Sequence, residues 1–283
     1  MMITFTENYF HAEDGLCIYY RDYGSPKQEK IPVLCLPGLT RNSKDFHRTA
    51  ARLSKERRVL AIDYRGRGKS ARDPDPHNYI PTTYLNDIRH LLALAGIHRV
   101  IIIGTSLGGL LAMGMAAAYP RILCGVILND IGPELANSGR KRIIEYIGTA
   151  TSPLNWDAAI TELKSKFPSL SLQSEDDWRL AAEGTYRVDK NGIFYPDWDV
   201  NLVKPLLKSE KIPDLWPLFL ALRDIPVLGI RGENSDILLP DCFERMATLH
   251  PNFLSVTIPK TGHVPSLWEP QSIKAINLFL SEI

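Results

Sequence analysis

The residues with the clearest chemical potential are those at 104–108, which read GTSLG and form a G-x-S-x-G pattern. They follow the apolar, mostly β-branched run 100–103 and precede the Ala-, Leu- and Met-rich stretch 110–118. We therefore predict a buried strand, a tight turn and a helix, the context in which this pattern presents a serine nucleophile. Glycines beside Ser106 let the backbone pass close to its neighbours, and the turn lifts the hydroxyl above the sheet edge. A glycine-rich turn that only packs tightly is the alternative interpretation.

A serine hydroxyl is a weak nucleophile until a general base removes its proton. The candidate base is His263, which lies in the sequence TGHVP between the last predicted strand and the last predicted helix. His47 and His77 are the competing histidines, since the others fall in the first hairpin or in or beside predicted helices. A loop position at the same sheet edge as Ser106 favours His263.

An imidazole base needs a carboxylate partner that fixes its tautomer and stabilises its cation. We expect Asp236, in the sequence RGENSD after the strand predicted at 226–230, to be this partner. Asp130, which ends the preceding predicted strand, is the rival, and Glu233 is a weaker third candidate. Both aspartates preserve the chain order serine, aspartate, histidine that accompanies this type of serine turn, so the order does not decide between them.

Acyl transfer at a serine also requires two backbone N–H groups that bind the developing oxyanion. One candidate donor is Leu107, whose N–H opens the helix after Ser106. The other is Leu39, just beyond Gly38 in the loop after the strand predicted at 32–36. We predict that these two amides form the oxyanion hole.

Strands and helices alternate along most of the chain, which predicts an α/β fold with a mostly parallel sheet covered on both faces. Ligands of such sheets bind outside the carboxyl ends of the strands, where the candidate residues lie. The alternation breaks from 134 to 223, a segment of predicted helices and loops that contains four of the five tryptophans. We therefore predict a core formed by 1–133 and 224–283 with a helical insert. Within the insert, our candidates for residues that line an apolar substrate pocket are Trp156, Trp178 and Trp198.

Composition narrows the classes of function. The 283 residues suit one large domain or a core with an insert, and the net charge of +1 gives no reason to expect nucleic acid or a membrane surface as partner. The sequence shows no secretory signal and no apolar run of membrane-spanning length, so we expect a cytoplasmic protein. Its four cysteines lack metal-ligand spacing, and we expect neither a metal nor a cofactor. Nothing in the sequence indicates the oligomeric state.

One motif resembles a phosphate-binding loop without matching it. Residues 68–70 read GKS, but the first glycine of the pattern would have to stand at position 63, which is Asp63. We interpret residues 65–70 as a tight turn with solvent-exposed arginines.

Several motifs together are similar to the α/β-hydrolase fold superfamily over essentially the full length of the chain. They are LPGL at 36–39, DYRGRGKS at 63–70, the turn at Ser106, Asp236 four residues before Pro240, and GHVP at 262–265 with EP at 269–270. The resemblance implies an eight-stranded sheet, a helical cap inserted after the sixth strand, and a Ser106–Asp236–His263 triad with Leu39 and Leu107 as oxyanion donors. Many relatives carry histidine at the position of Pro37, and the spacing from Gly232 to Asp236 is one residue longer than usual, which keeps Asp130 as a rival.

The resemblance also implies a function. Relatives that open epoxides or displace halide carry aspartate at the position of Ser106, so this chain resembles the serine hydrolases. We expect a small-molecule substrate, a largely apolar carboxylic ester or lactone, cleaved through an acyl-enzyme. Two alternatives remain open: a C–C bond hydrolase acting on ring-fission products of the 2-hydroxy-6-oxo-dienoate type, and a catalytically weak ligand-binding receptor on the same fold.

Overall fold

The computed structural model describes residues 5–149, 151–208 and 213–283. Its strands are β1 (Phe5–His11), β2 (Cys17–Tyr23), β3 (Val33–Leu36), β4 (Val59–Asp63), β5 (Val100–Thr105), β6 (Leu123–Asn129), β7 (Tyr186–Val188), β8 (Phe194–Pro196), β9 (Val227–Gly232) and β10 (Phe253–Ile258). Its α-helices are α1 (His47–Leu53), α2 (Pro81–Leu94), α3 (Leu107–Ala118), α4 (Asn137–Gly148), α5 (Trp156–Lys166), α6 (Glu175–Thr185), α7 (Val203–Lys208), α8 (Trp216–Leu220), α9 (Pro240–Leu249) and α10 (Pro270–Ser281).

Eight of these strands form one sheet in the order β1-β2-β4-β3-β5-β6-β9-β10. Strand β2 runs antiparallel to both of its neighbours, and every other pair in the sheet is parallel. The predicted α/β fold with an eight-stranded, mostly parallel sheet is therefore confirmed.

Helices cover both faces of the sheet, and β5 shows why its sequence is apolar throughout. Val100 and Ile102 pack with residues of α2 and α3 on one face. Ile101 and Ile103 pack with residues of α1 and α10 on the other face. Because successive side chains of a strand point to opposite faces, burial of both faces requires a continuous apolar run instead of an alternating one.

The carboxyl ends of the central strands meet at one edge of the sheet. Strands β3, β5, β6, β9 and β10 are successive neighbours and run in the same direction. Ser106 directly follows β5, Asp130 directly follows β6, and His263 lies in the loop between β10 and α10. The sheet thus brings together residues that are more than 150 positions apart in the sequence.

Residues 134–223, which we call the insert, separate β6 from β9 and contain α4 to α8 together with the antiparallel pair β7–β8. The insert has a hydrophobic cluster of its own, formed by Ala159, Leu163, Ala182, Tyr186 and Phe194. The sequence did not predict the two strands, because three residues each are too few to show a period. No helix in the described part of the chain is both long and apolar enough to cross a membrane.

Candidate active site

Ser106 occupies a sharp turn between β5 and α3. Its backbone lies at φ 51° and ψ −113°, a conformation that residues other than glycine rarely adopt and that costs on the order of 1–3 kcal/mol. The Ser106 N–H donates to the Asn129 carbonyl (3.0 Å), and the Ser106 carbonyl accepts from the Gly109 N–H (2.9 Å). A Cβ added at Gly108 would stand 2.0 Å from the Leu36 carbonyl oxygen, so only glycine fits there. Packing against β3 therefore holds the serine in its strained position.

His263 links Ser106 to a buried carboxylate. Its Nε2 lies 3.1 Å from the Ser106 Oγ, and its Nδ1 lies 2.7 Å from Oδ2 of Asp130. Because an ionised carboxylate only accepts, Nδ1 carries the proton and the Nε2 lone pair is free to accept from the Ser106 hydroxyl. The Asp130 side chain is fully buried and that of His263 is 10% exposed. This series of hydrogen bonds from serine to histidine to carboxylate, which we call the relay, can activate a serine.

The expectation that Asp236 contacts His263 is wrong. Its carboxylate instead receives two hydrogen bonds from Arg142 of α4, at 2.7 and 2.8 Å. Burial acts to raise the pKa of Asp236, but the hydrogen bonds and charge of Arg142 outweigh it and hold the pKa below its ordinary value. Glu233 is also engaged elsewhere, since it accepts from the Lys260 N–H (2.7 Å).

The turn after β9 explains why Asp130, and not Asp236, contacts His263. Strands β6 and β9 are neighbours, and the Asp130 N–H donates to the Ile230 carbonyl (2.7 Å), so Asp130 starts beside this turn. Within the turn, the Gly232 N–H and the Ser235 hydroxyl both donate to the Asp130 carboxylate, at 2.8 and 2.6 Å. Ser235 thus faces the relay, and Asp236, the next residue, faces α4.

Residues 37–39, which we call the oxyanion loop after the role predicted for Leu39, pass beside the serine. A Cβ added at Gly38 would lie 3.9 Å from the Cβ of Ser106. Leu107 is the first residue of α3, and the Ser106 side chain does not cap that helix. Among the hydrogen bonds of the described residues, none uses the N–H of Leu39 or of Leu107. Leu107 thus adjoins Ser106, Leu39 follows the glycine that lies beside it, and neither N–H has an acceptor among the described residues.

The prediction of solvent-exposed arginines after β4 is wrong, because Arg65 and Arg67 are each only 1% exposed. Arg65 is enclosed by three aspartates. Arg67 donates through Nε to the Leu39 carbonyl (2.8 Å), and the Tyr64 hydroxyl donates to the Pro37 carbonyl (3.3 Å). The segment that looked like a charged surface turn therefore supports the oxyanion loop from behind.

Asn129, the last residue of β6, ties three parts of the site together. Its Nδ2 donates to Thr105 Oγ1 (3.1 Å), which precedes Ser106, and to the Pro265 carbonyl (3.0 Å), which follows His263. The residue is 1% exposed. Sequence reasoning missed this role because an asparagine at a strand end is usually a turn residue.

The histidines that competed with His263 lie elsewhere. Nδ1 of His47 on α1 is 3.0 Å from the Tyr23 hydroxyl, at the opposite side of the sheet order from β10. His77 lies in a short 3₁₀ helix, Pro76–Asn78.

The three tryptophans suggested for a substrate pocket take part in packing. Trp156 lies edge-on to Phe194 with ring centroids 4.8 Å apart, and Trp178 packs against the same cluster of the insert. Trp198 is 2% exposed and forms a β-bridge with Arg67. No hydrogen bond or ring contact among the described residues joins these tryptophans to Ser106 or His263, so these contacts do not support a pocket role.

The acidic, histidine and cysteine side chains in the described part of the chain bear on metal binding and on thiol chemistry. No group of three or more His, Cys, Asp or Glu side chains there could hold a metal ion. All four cysteines are free thiols. Burial raises the pKa of the Cys242 thiol to about 11, so it is protonated and a poor nucleophile at neutral pH.

The chain matches the model of the alpha/beta hydrolase family over residues 33–273. It is 32% identical over 267 residues to a protein of Cupriavidus necator named 3-hydroxybutyrate-oligomer hydrolase, covering 90% of this chain and 89% of that protein. It is 28% identical over 261 residues to a Mesorhizobium japonicum protein named 2-(acetamidomethylene)succinate hydrolase, covering 88% and 87%. The crystal structure of an alpha/beta hydrolase from Novosphingobium aromaticivorans superposes with a TM-score of 0.94 at 39% identity, over 100% of both chains.

These matches show that the chain belongs to the alpha/beta hydrolase family, as the motifs predicted. It is a hydrolase of this fold, and the two relatives described above are named as hydrolases of different substrates.

Proposed function

We propose that the chain is a serine hydrolase that cleaves a carboxylic ester through an acyl-enzyme. The observation that carries the proposal is the continuous relay from Ser106 Oγ through His263 to Asp130, with steps of 3.1 and 2.7 Å. A serine, a histidine and a carboxylate in this order form the arrangement that activates a serine for attack on a carbonyl.

In the acylation step, His263 Nε2 takes the Ser106 proton while Oγ attacks the ester carbonyl carbon. The negative charge that develops on the carbonyl oxygen is bound by the N–H groups of Leu39 and Leu107. The tetrahedral intermediate then collapses, and the imidazolium gives its proton to the departing alcohol. Asp130 stabilises the imidazolium and keeps its Nε2 directed at the reacting atoms.

Deacylation uses the same groups with water in place of the serine. His263 removes a proton from a water molecule as the water oxygen attacks the acyl carbon. The same two backbone amides bind the oxyanion that forms. The tetrahedral intermediate collapses and releases the carboxylic acid, while the His263 imidazolium returns its proton to the departing Ser106 Oγ. One ester and one water therefore give one acid and one alcohol, and no redox partner is needed.

The relatives narrow the substrate class. The Cupriavidus necator relative is named for an oligomer of 3-hydroxybutyrate, in which a hydroxyl and a carboxyl of successive units can join as an ester. We propose short ester-linked hydroxyacid oligomers as the first natural substrates to test, beside simple apolar esters. A lactone is the same bond closed into a ring and belongs to the same reaction.

The test compares the wild type with Ser106→Ala on a p-nitrophenyl ester chain-length series and on linear dimers and trimers of 3-hydroxybutyrate. We expect Ser106→Ala to lower kcat by at least about 10³-fold, because loss of the nucleophile leaves only binding and oxyanion stabilisation. A fluorophosphonate should label the wild type at Ser106, and circular dichroism checks that the variant is folded.

Two outcomes would contradict the proposal. One is a wild type that hydrolyses no ester and is not labelled at Ser106, which would favour the receptor alternative. The other is a wild type that is inactive on esters and cleaves a vinylogous 1,5-diketone, which would favour C–C bond hydrolysis.

A further inference from the structure

The turn at 232–235 supplies two hydrogen-bond donors to the carboxylate that faces His263. The Gly232 N–H donates to Oδ1 of Asp130 (2.8 Å), and the Ser235 hydroxyl donates to Oδ2 (2.6 Å). Oδ2 is also the oxygen that accepts from His263 Nδ1 (2.7 Å). Asp130 is fully buried, and Ser235 is 6% exposed. The carboxylate is therefore clamped at both oxygens by one short turn, 105 residues away in the sequence.

The direction of the Ser235 hydroxyl proton is fixed by its other contacts. Its Oγ accepts from the N–H groups of Ile237 (3.2 Å) and Leu238 (3.1 Å). A hydroxyl has two lone pairs and one proton, so these two bonds leave only the proton, which points at Asp130. Ser235 is thus a fixed donor and not a freely rotating hydroxyl.

Asp130 depends on such donors because its charge is deeply buried. A buried carboxylate is strongly disfavoured unless it is hydrogen-bonded or paired with a cation. Among the ion pairs of the described residues, Asp130 pairs with His263 alone, and that pair is ionic only when the imidazole is protonated. While His263 is neutral, hydrogen bonds from Gly232, Ser235 and His263 must stabilise the negative charge.

We infer that Ser235 is a positioning residue of the active site, acting through Asp130. Its hydroxyl binds the buried carboxylate and keeps Oδ2 directed at His263 Nδ1, so that Nε2 stays available as the base. The inference rests on the proposed function, because it concerns the relay that activates Ser106. Gly232 contributes a backbone N–H, which substitution does not remove, so Ser235 is the member of the clamp that can be tested.

The experiment compares wild type, Ser235→Ala, Ser235→Thr and Ser235→Cys in steady-state kinetics on a p-nitrophenyl ester across the pH range. A matched control is Ser272→Ala, which removes another buried serine hydroxyl that donates to a carboxylate, Oε2 of Glu269 (2.7 Å). The rate of Ser106 labelling by a fluorophosphonate gives a second readout that requires the relay and not the natural substrate.

We expect Ser235→Ala to lower kcat roughly 10- to 100-fold with little change in KM, the range of a hydrogen bond to a charged group. The acid limb of its kcat/KM profile should move to higher pH by about one unit, equivalent to a tenfold change. The reason is that the Asp130 carboxylate, without the Ser235 donor, attracts the protonated form of His263 more strongly. Ser235→Thr retains a hydroxyl and should restore both parameters. Ser235→Cys, with a weak donor of similar size, should shift them in the same direction as alanine.

A purely structural serine would give a different result. If Ser235→Ala or Ser235→Cys lost thermal stability while kcat and the acid limb stayed at wild-type values, the inference would be overturned. It would also be overturned if Ser272→Ala produced the same kinetic changes. A wild type that neither hydrolyses esters nor labels at Ser106 removes the proposed function and the inference together, whereas an active wild type with an unchanged Ser235→Ala removes the inference alone.

Discussion

Replacing each of the two candidate acids by asparagine separates Asp130 from Asp236 with the same chemical change. We expect Asp130→Asn to remove nearly all activity and Asp236→Asn to leave kcat within about threefold of the wild type, since exposed ion pairs contribute only ~0–1 kcal/mol. The Asp236 and Arg142 side chains are 41% and 36% exposed. Neither side chain is part of the relay formed by Ser106, His263 and Asp130.

The size of the Asp130→Asn effect follows from the donors around its carboxylate. Oδ1 accepts from the Gly232 N–H, and Oδ2 accepts from His263 Nδ1 and the Ser235 hydroxyl. Asparagine has one oxygen for these two positions. If that oxygen faces Gly232, its NH₂ faces Nδ1 and drives the imidazole proton to Nε2, where it blocks acceptance of the Ser106 proton. If the oxygen faces His263, the NH₂ meets the Gly232 N–H, with no acceptor between them.

The wrong tautomer lowers kcat of a serine protease about 10⁴-fold, which corresponds to about 5 kcal/mol in the activation barrier. The assay is kcat and KM on the best ester of the chain-length series, with circular dichroism to confirm folding of both variants. Loss of more than about 10³-fold in Asp236→Asn, with less than tenfold loss in Asp130→Asn, would refute the reasoning from contact geometry.

Two further predictions concern the arginines Arg67 and Arg142, which lie around the candidate site. Arg67→Lys should lower kcat about 10- to 100-fold, because one ammonium cannot reproduce the forked contacts of the guanidinium that hold the oxyanion loop. Discrimination between an ester and its thionoester should fall with it, and an unchanged ratio of the two rates would count against the role. The lowered pKa of Asp236 means that the folded chain holds this proton less tightly than the unfolded chain, so the ion pair stabilises above the ordinary pKa and is lost as pH falls through the lowered value. Denaturant midpoints of wild type and Arg142→Met should therefore differ slightly at neutral pH and converge once the pH has fallen well below the ordinary pKa of an aspartate, and a difference that persists in strong acid would contradict this.

The sheet and the serine turn could be predicted from the sequence because their signals are local. A strand buried on both faces needs a continuous apolar run, and the run before Ser106 meets that need within four residues. The turn after it needs glycine where the backbone of α3 approaches β3, and Gly108 shows this directly, because a Cβ added there would stand 2.0 Å from the Leu36 oxygen. His263 could be chosen because few histidines fall in loops at this edge of the sheet.

The support of the site could not be predicted in the same way, since it depends on long-range contacts. Arg67 looks like a surface residue until its bonds to the Leu39 carbonyl and the Tyr84 hydroxyl are seen. Its burial also depends on the β-bridge to Trp198, which lies 131 positions further along the chain. Aromatic residues of the insert likewise gave no indication of whether they face a substrate or each other.

The carboxylate partner of His263 was narrowed by the sequence to Asp236, Asp130 and the weaker candidate Glu233, and the structure shows why the sequence could not decide between the two aspartates. Strands β6 and β9 are adjacent and parallel, so a carboxylate after either strand begins near the same imidazole. Chain order is the same for both. The difference is the direction of the turn at 232–235, which directs Ser235 inward and leaves Asp236 to Arg142. A spacing one residue longer than usual after Gly232 was the sequence signal of this change. At that spacing Asp236 points away from His263 and pairs with Arg142. The carboxylate beside His263 is then Asp130 after β6, and the turn at 232–235 supplies its hydrogen-bond donors instead of the acid itself.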